Sequence, residues 1–273
     1  MASNGFFNND QADRSWNKDD LFGTEEGETL RGTSGADHIQ GNGGNDDIFG
    51  GRGNDNLEGG AGEDFMKGGQ GDDKMRGDAG HDTMSGGSGN DNMRGGEGND
   101  QMAGGKGDDM LRGGQGDDEM RGGSGNDELR GGQGNDKLDG GKGDDKLNGG
   151  RGDDEIGISS GQDVLTGGDG ADSYIGIEGA AANALITDFD TAEGDSIDLS
   201  AFSNIESMDD LTIENNAEGN AVISFEGNTV ELKGIDADNL GDSAFKFADE
   251  PVIEVAAVPE MHMCEEPWPT ASY

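Results

Sequence analysis

From Gly32 to Ile175 a large apolar residue returns at every ninth position: Ile39, Ile48, Leu57, Met66, Met75, Met84 and onward to Leu165 and Tyr174. A helix repeats its apolar face every 3.6 residues and a half-buried strand every two, so neither accounts for a period of nine alone. Two positions before each apolar residue stands an Asp. Residues i and i+2 of a strand share a face. Each unit therefore predicts a short strand with Asp and apolar side chain turned inward and their immediate neighbours turned to water. A fixed period of this length is the mark of a stacked repeat, whose units bury a core only against one another.

Counted from Gly32, the register runs without a gap through sixteen nonapeptides. A typical unit is Gly86-Gly87-Ser88-Gly89-Asn90-Asp91-Asn92-Met93-Arg94. Position four is Gly and position six Asp in all sixteen. Position one is Gly except at Ile158, and position two except at Thr33, Asn42, Asp78 and Ser159. Glycines at one, two and four are expected to take positive φ and to let loops approach closely. The outward ninth position carries Lys67, Arg76, Arg94, Arg112, Arg121 and Arg130. Residues 23–31 keep the phase through Gly23 and Leu30 but place Glu26 and Glu28 where Gly and Asp belong, which predicts a degenerate capping turn.

Beyond Gly176 the pattern changes. Segments 184–190, 195–200, 220–226 and 228–235 predict short strands, with Gly227-Asn228 as a hairpin turn, and Ile205 to Leu211 a turn or two of helix. Phe189, Ile197, Leu199, Phe202, Phe225, Val230, Leu232, Phe245 and Phe247 are the candidate core. The chain divides into an N-terminal segment 1–31, the repeat 32–175, a β-rich cap 176–248 and a tail 249–273, expected to be disordered, that lacks Lys and Arg.

Composition changes the picture. Of 273 residues 55 are Gly, apolar residues are 29%, and the net charge is −42. Low hydrophobicity with high net charge is the composition of a chain that cannot offset its backbone entropy unaided. Bound cations are the natural supplement. Inward carboxylates and turn carbonyls are the hard oxygen donors that Ca²⁺ takes, six to eight per ion.

The stretch 32–175 resembles the RTX (repeats-in-toxin, hemolysin-type) family of calcium-binding proteins. The resemblance implies an all-β fold, a right-handed parallel β-roll of about eight turns with two nonapeptides each, and Ca²⁺ between loops stacked on one side. Sixteen units leave at most fourteen such gaps. The implied ligands are Asp37, Asp46, Asp55, Asp64, Asp73, Asp82, Asp91, Asp100, Asp109, Asp118, Asp127, Asp136, Asp145, Asp154, Asp163 and Asp172. Metal binding is expected to stop where Ala181 replaces the Asp, and the unit at Ile158 is the weakest inside the array. Residues 186–200 resemble the cap that follows such rolls in type I-secreted proteases and lipases, where it leads into a C-terminal secretion signal. Asp188, Asp190, Asp195 and Asp198 within it are expected to be solvated turn residues.

The remaining residues narrow the function. Excess acid argues against nucleic acid and anionic membranes. No run approaches ~20 apolar residues, so membrane insertion and pore formation are not expected. The first twenty residues lack a signal-peptide pattern, and Cys264 is the single cysteine, so no intrachain disulfide forms. Met261-His262-Met263-Cys264 are soft ligands, but four adjacent residues rarely close a site. His38 and His81 occupy unrelated repeat positions and are expected in surface loops. No catalytic motif appears, so no enzyme activity is expected. The mixed third column (Ser34, Gly43, Arg52, Ala61, Gln70) argues against ice binding, and no outward column is an aromatic stripe for sugars. The expectation is a calcium-binding protein exported by a type I system without an N-terminal signal peptide, acting as an adhesive or host-interaction factor with a cell-surface or matrix partner. The alternative is the secretion and folding module of a larger exoenzyme.

Overall fold

The computed structural model describes residues 20–248. Between His38 and Gly176 strands follow one another with little but a three-residue turn between them. Most are six residues long and run from position seven of one nonapeptide to position three of the next, as in Asn92–Glu97 and Gln101–Lys106. Alternate strands belong to opposite sheets, one of 13 strands and one of 11. Pairing is parallel and eighteen residues apart: Met75 faces Met93, which faces Leu111, in one sheet, and Met84, Met102 and Met120 align in the other. Two nonapeptides thus complete one coil.

The inward positions make the core. Every position-eight side chain from Ile39 to Tyr174 is at most 3% exposed. These residues form two facing columns, one per sheet, sealed above and below by the next coil. Burial alternates along each strand, as in the buried Met93 between the exposed Asn92 and Arg94.

The roll is longer than the sixteen units. The stretch expected as a capping turn, 23–31, forms a coil of its own: Thr29–Arg31 pairs with Asp47–Arg52, and Asp20–Phe22 pairs with His38–Gly43. Asn183–Ile186 and Ser196–Asp198 extend the other end. The total is about nine coils rather than eight. His38, expected in a loop, lies in a strand, its Nδ1 3.5 Å from Asp20.

The glycine columns divide their labour differently from expectation. Positions two and four take positive φ in all but the first unit and at Ser159, as at Gly87 (φ 116) and Gly89 (φ 122), whereas position one does not. Asn42 (φ 77) and Asp78 (φ 78) hold the left-handed conformation at position two, which Asn and Asp tolerate better than other side chains. Position one must be Gly for space. A Cβ on Gly95 would lie within 3.0 Å of three atoms of the Asp100 side chain.

The cap covers the last coil. Asn228–Leu232 continues the larger sheet in parallel beyond Asn183–Ile186, and Ala221–Phe225 and Thr212–Asn215 then add antiparallel strands. The hairpin turn is Glu226-Gly227 (φ 44 and 84), one residue earlier than expected, as a primed turn requires positive φ at both central residues. Asn228 already belongs to the return strand, and its buried side chain accepts from the Ala182 N–H at 2.9 Å. The expected helical stretch is a single 3-10 turn, Met208–Asp210, closed by a capping box from Ser207. Eight of the nine candidate core residues are buried, and Phe247 is partly buried and stacked on Phe245. Among the described residues no helix is long and apolar enough to cross a membrane. The tail and Met261–Cys264 lie outside the described residues.

Because position one is constrained by volume, Gly95→Ala should destabilise the roll by about 1–3 kcal/mol, the usual cost of overpacking. Ser85→Ala, outward at position nine, should stay within ~0.5 kcal/mol. Urea unfolding of both variants in calcium checks the contrast.

Candidate metal centres

All sixteen position-six aspartates are buried, between 1% and 6% exposed. The fold sorts them into two ladders, one on each side of the roll. In one, the backbone N–H of Asp82 donates to Asp100 Oδ1 at 2.8 Å, and that of Asp100 donates to Asp118 Oδ1 at 2.8 Å. The other repeats this from Asp73 to Asp91 and from Asp91 to Asp109, at 2.8 and 2.7 Å. Each carboxylate thus ties its own coil to the preceding one through a single oxygen.

The second oxygen is the notable atom. Oδ2 is buried and accepts no hydrogen bond in Asp46, Asp55, Asp64, Asp73, Asp82, Asp91, Asp100, Asp109, Asp118, Asp127, Asp136, Asp145, Asp154 and Asp172. The two exceptions have a hydroxyl at position two. Asp37 Oδ2 accepts from the Thr33 N–H at 2.6 Å and the Thr33 hydroxyl at 3.1 Å, and Asp163 Oδ2 from the Ser159 hydroxyl at 3.2 Å. A buried carboxylate oxygen without donor or cation is strongly unfavourable. It must acquire either a proton or a metal ion.

The surroundings suit a hard cation. The space left by the absent Cβ of Gly86 lies against the Asp91 carboxylate and 2.8 Å from the Gly104 carbonyl oxygen, and the arrangement recurs at Gly68, with Asp73 and Gly86. The nearest polar atoms there are carboxylate and carbonyl oxygens, a donor type for Ca²⁺ rather than for softer metals. The residues present therefore fit calcium.

Without metal, burial drives the carboxyls toward their neutral form. Desolvation raises Asp73, Asp82, Asp109, Asp118, Asp145 and Asp154 to about 7, with neighbouring ladder carboxylates adding to the rise and the backbone N–H opposing it. Asp46, Asp91, Asp100, Asp136 and Asp172 reach about 6 for the same leading reason. Burial raises Asp55, Asp64, Asp127 and Asp163 as well.

A second ladder escaped the sequence reading. Position five is Asn or Asp in eleven of sixteen units. Its side chain accepts from the backbone N–H eighteen residues on: Asp108 N–H to Asn90 Oδ1 at 2.9 Å, then Asn126 N–H to Asp108 Oδ1 at 2.8 Å. His81 fills this column, Nδ1 accepting from the Asn99 N–H at 2.7 Å, which gives an apparently incidental loop residue a structural task. The enrichment at position five was the visible signal.

The ladders end in the chain's own donors. Asp195, expected to be solvated, is 4% exposed; its Oδ1 accepts from Asp172 N–H at 3.0 Å and its Oδ2 from Asp190 N–H at 2.8 Å. Asp188, though exposed, accepts from the Gly167 and Gly168 N–H groups at 3.1 and 3.0 Å and from the Tyr174 hydroxyl at 3.3 Å. Asp190 accepts from the Ala192 N–H beside a turn, whereas Asp198, expected in a turn, ends the strand Ser196–Asp198 half-buried and accepts from the Ser200 N–H. At the other end Glu28 N–H donates to Asp46 Oδ1, while the Glu28 carboxylate is held by Thr24.

The pattern described as the RTX calcium-binding nonapeptide repeat matches residues 22–57, 50–84, 58–93, 85–120, 94–129, 121–156 and 159–180, more than half of the chain. No curated protein matches it. Among solved structures, the AlgE6R3 subunit of the Azotobacter vinelandii mannuronan C5-epimerase is 29% identical, the match covering 55% of this chain and 83% of that one with a TM-score of 0.37. The extracellular lipase LipA of Serratia marcescens is 18% identical over 69% of this chain and 40% of its own, with a TM-score of 0.26.

The raised carboxyls set a pH dependence for the metal-free protein. A folded-state pKa above the unfolded value means that the folded state holds more protons between the two. The stabilisation is complete below about 3.8 and is lost as pH rises through about 6 to 7. In chelator, β content and urea resistance should therefore increase from pH 7.5 to pH 5, followed by circular dichroism.

Proposed function

The chain belongs to the RTX calcium-binding nonapeptide repeat family, and from that footing we propose that it is an exported protein whose roll folds on calcium outside the cell. The observation that carries this reading is the row of buried carboxylate oxygens without a partner. In it, the Oδ2 atoms of the position-six aspartates and the glycine carbonyls of the loops hold the ions. Bound Ca²⁺ supplies the positive charge that lets these carboxylates remain ionised in the interior.

The chain's own residues do the rest. The position-one glycines keep the space open, and the Oδ1 ladder holds each carboxylate against the coil before it. The position-eight column excludes water from the interior side. Binding displaces protons from carboxyls poised near neutrality, so affinity rises with pH. Extracellular calcium modules bind at about 10⁻⁴–10⁻³ M, far above cytosolic free calcium. The chain is therefore expected to pass through a type I exporter unfolded and to order itself outside. There it serves as a non-catalytic binding element facing a surface or matrix partner.

Asp100→Ala removes one ligand in mid-array and the acceptor for the Asp82 N–H. Calorimetric titration should show fewer calcium ions bound and a transition shifted to higher calcium. Glu97→Ala, exposed at the end of the strand that leads into the Asp100 turn, should titrate like the parent. Equal losses in both variants would remove the ligand assignment. In the parent, circular dichroism should change from coil in chelator to β near millimolar Ca²⁺ at pH 7.5, and a signal independent of calcium would remove the folding claim.

A further inference from the structure

Six of the sixteen position-eight side chains are methionines, and they are not scattered. Met66, Met75, Met84, Met93 and Met102 fill five consecutive nonapeptides, and Met120 follows after Leu111. On either side the columns hold Ile39, Ile48 and Leu57, then Leu129, Leu138 and Leu147. The fold gathers the thioethers. In the smaller sheet Met66, Met84, Met102 and Met120 stand in register on four neighbouring strands, and in the larger sheet Met75 is in register with Met93. All six are at most 3% exposed. Leu fills the same position in the flanking coils, and Leu and Met exchange in cores with little loss. Packing therefore does not require sulfur here. What the six add is a chemistry that Leu and Ile lack.

A thioether lone pair attacks hydrogen peroxide: the O–O bond breaks, an S–O bond forms, and the second oxygen leaves as water after proton transfer. Sulfur is oxidised by two electrons and the peroxide is reduced by two. The product is a polar sulfoxide whose oxygen accepts hydrogen bonds. The interior of the roll has no donor to offer it. The strand N–H groups are paired with neighbouring coils, and the buried charged side chains beside the columns are the position-six aspartates, which are acceptors when ionised. A sulfoxide at position eight would therefore be buried without a partner. Each coil packs only on its neighbours, so faults in five consecutive units interrupt the stack in its middle.

We propose that the methionine file is a modification site for peroxide, closed in the calcium-loaded roll and open in the calcium-free chain, and that oxidation there blocks the roll from forming. The proposal rests on the reading that the roll folds on calcium. A buried side chain is reached by a reagent only through opening of the structure around it, so calcium protects the six. Met110 is a reference within the same coils. It lies outward at position seven, half-buried, with the Arg112 guanidinium 3.4 Å from its sulfur. Its sulfur is outside the core whether or not calcium is bound. Methionine sulfoxide is reduced back by dedicated reductases, one for each epimer, so the block is reversible. The file thus distinguishes a chain that met oxidant before calcium from one that met calcium first.

The test exposes the full chain to hydrogen peroxide at pH 7.5, once in millimolar Ca²⁺ and once in chelator, and follows each methionine by peptide mass spectrometry. In calcium the six should oxidise at least about tenfold more slowly than Met110, and in chelator at about the same rate as Met110. After peroxide is removed and calcium is added, the chain oxidised in chelator should regain less than about half of the untreated β signal. Treatment with both sulfoxide reductases should restore it. The Met66→Leu/Met75→Leu/Met84→Leu/Met93→Leu/Met102→Leu/Met120→Leu variant should keep its β signal through the same treatment. Column methionines that oxidise as fast as Met110 in the calcium-loaded roll overturn this proposal alone, as does an oxidised chain that folds at the parent's calcium concentration. If the variant fails to fold, the reductases decide: a chain whose six sulfoxides are reduced but whose β signal stays lost also overturns it. A β spectrum that ignores calcium overturns the folding reading and this proposal together.

Discussion

The structure depends on one unfavourable contact repeated down its length: a carboxylate oxygen buried with no partner of its own. Each Asp spends Oδ1 on a backbone N–H of the preceding coil and turns Oδ2 into the space left by a glycine without a Cβ. Remove that space and the carboxylate cannot enter the coil. Fill Oδ2 from within the chain, as Thr33 and Ser159 do, and the need for an ion is met locally. The rest of the repeat is arranged around keeping this atom buried, aligned with its neighbours and open to a cation.

The alternation of buried and exposed positions, the two-nonapeptide coil and the sixteen inward aspartates were legible because each is a matter of period. Gly, Asp and apolar residue recur at fixed offsets, and side-chain direction follows from strand geometry. What was not legible is a matter of contact. Positions one and two are both mostly Gly, yet one is Gly for room and the other for φ. His81 looks incidental until its Nδ1 is seen to occupy the acceptor column of the Asn and Asp residues around it. Asp195 lies outside the nine-residue phase, 23 residues from Asp172, so no periodic reading links it to the ladder it ends. The coil at 23–31 was underestimated because Glu28 satisfies itself through Thr24, a local bond that leaves the period but keeps the shape.

Parallel stacking in which each coil touches only its neighbours makes stability a sum of identical interfaces plus two ends. On the proposed reading calcium acts on the interfaces. The position-eight columns bury one side chain per nine residues, too few to outweigh backbone entropy and stacked carboxylates together. Protons serve the same electrostatic purpose at low pH, since a neutral carboxyl is tolerated in the interior, but a proton neutralises only the carboxyl that carries it. An ion that draws on carboxylate and carbonyl oxygens of successive coils ties them together as well. Calcium therefore contributes cohesion that acid does not.

The ends follow a different rule from the middle. At the N-terminal side Glu28 and Asp37 are held by Thr24 and Thr33. At the C-terminal side Ser159 holds Asp163, Asp188 closes over Gly167, Gly168 and Tyr174, and Asp195 accepts from two backbone N–H groups. These carboxylates are satisfied by the polypeptide itself, and the apolar cap adds a core of ordinary composition behind the last coil. The chain thus places carboxylates satisfied by the polypeptide at both boundaries and carboxylates with an unpartnered oxygen between them. An end coil has a neighbour on one side only, so an interface that needed calcium there would be the first to open as the ion concentration fell. Closing the boundaries with hydroxyls and backbone donors removes that weakness, and leaves the calcium response to the interior, where every ladder carboxylate has a coil above and a coil below.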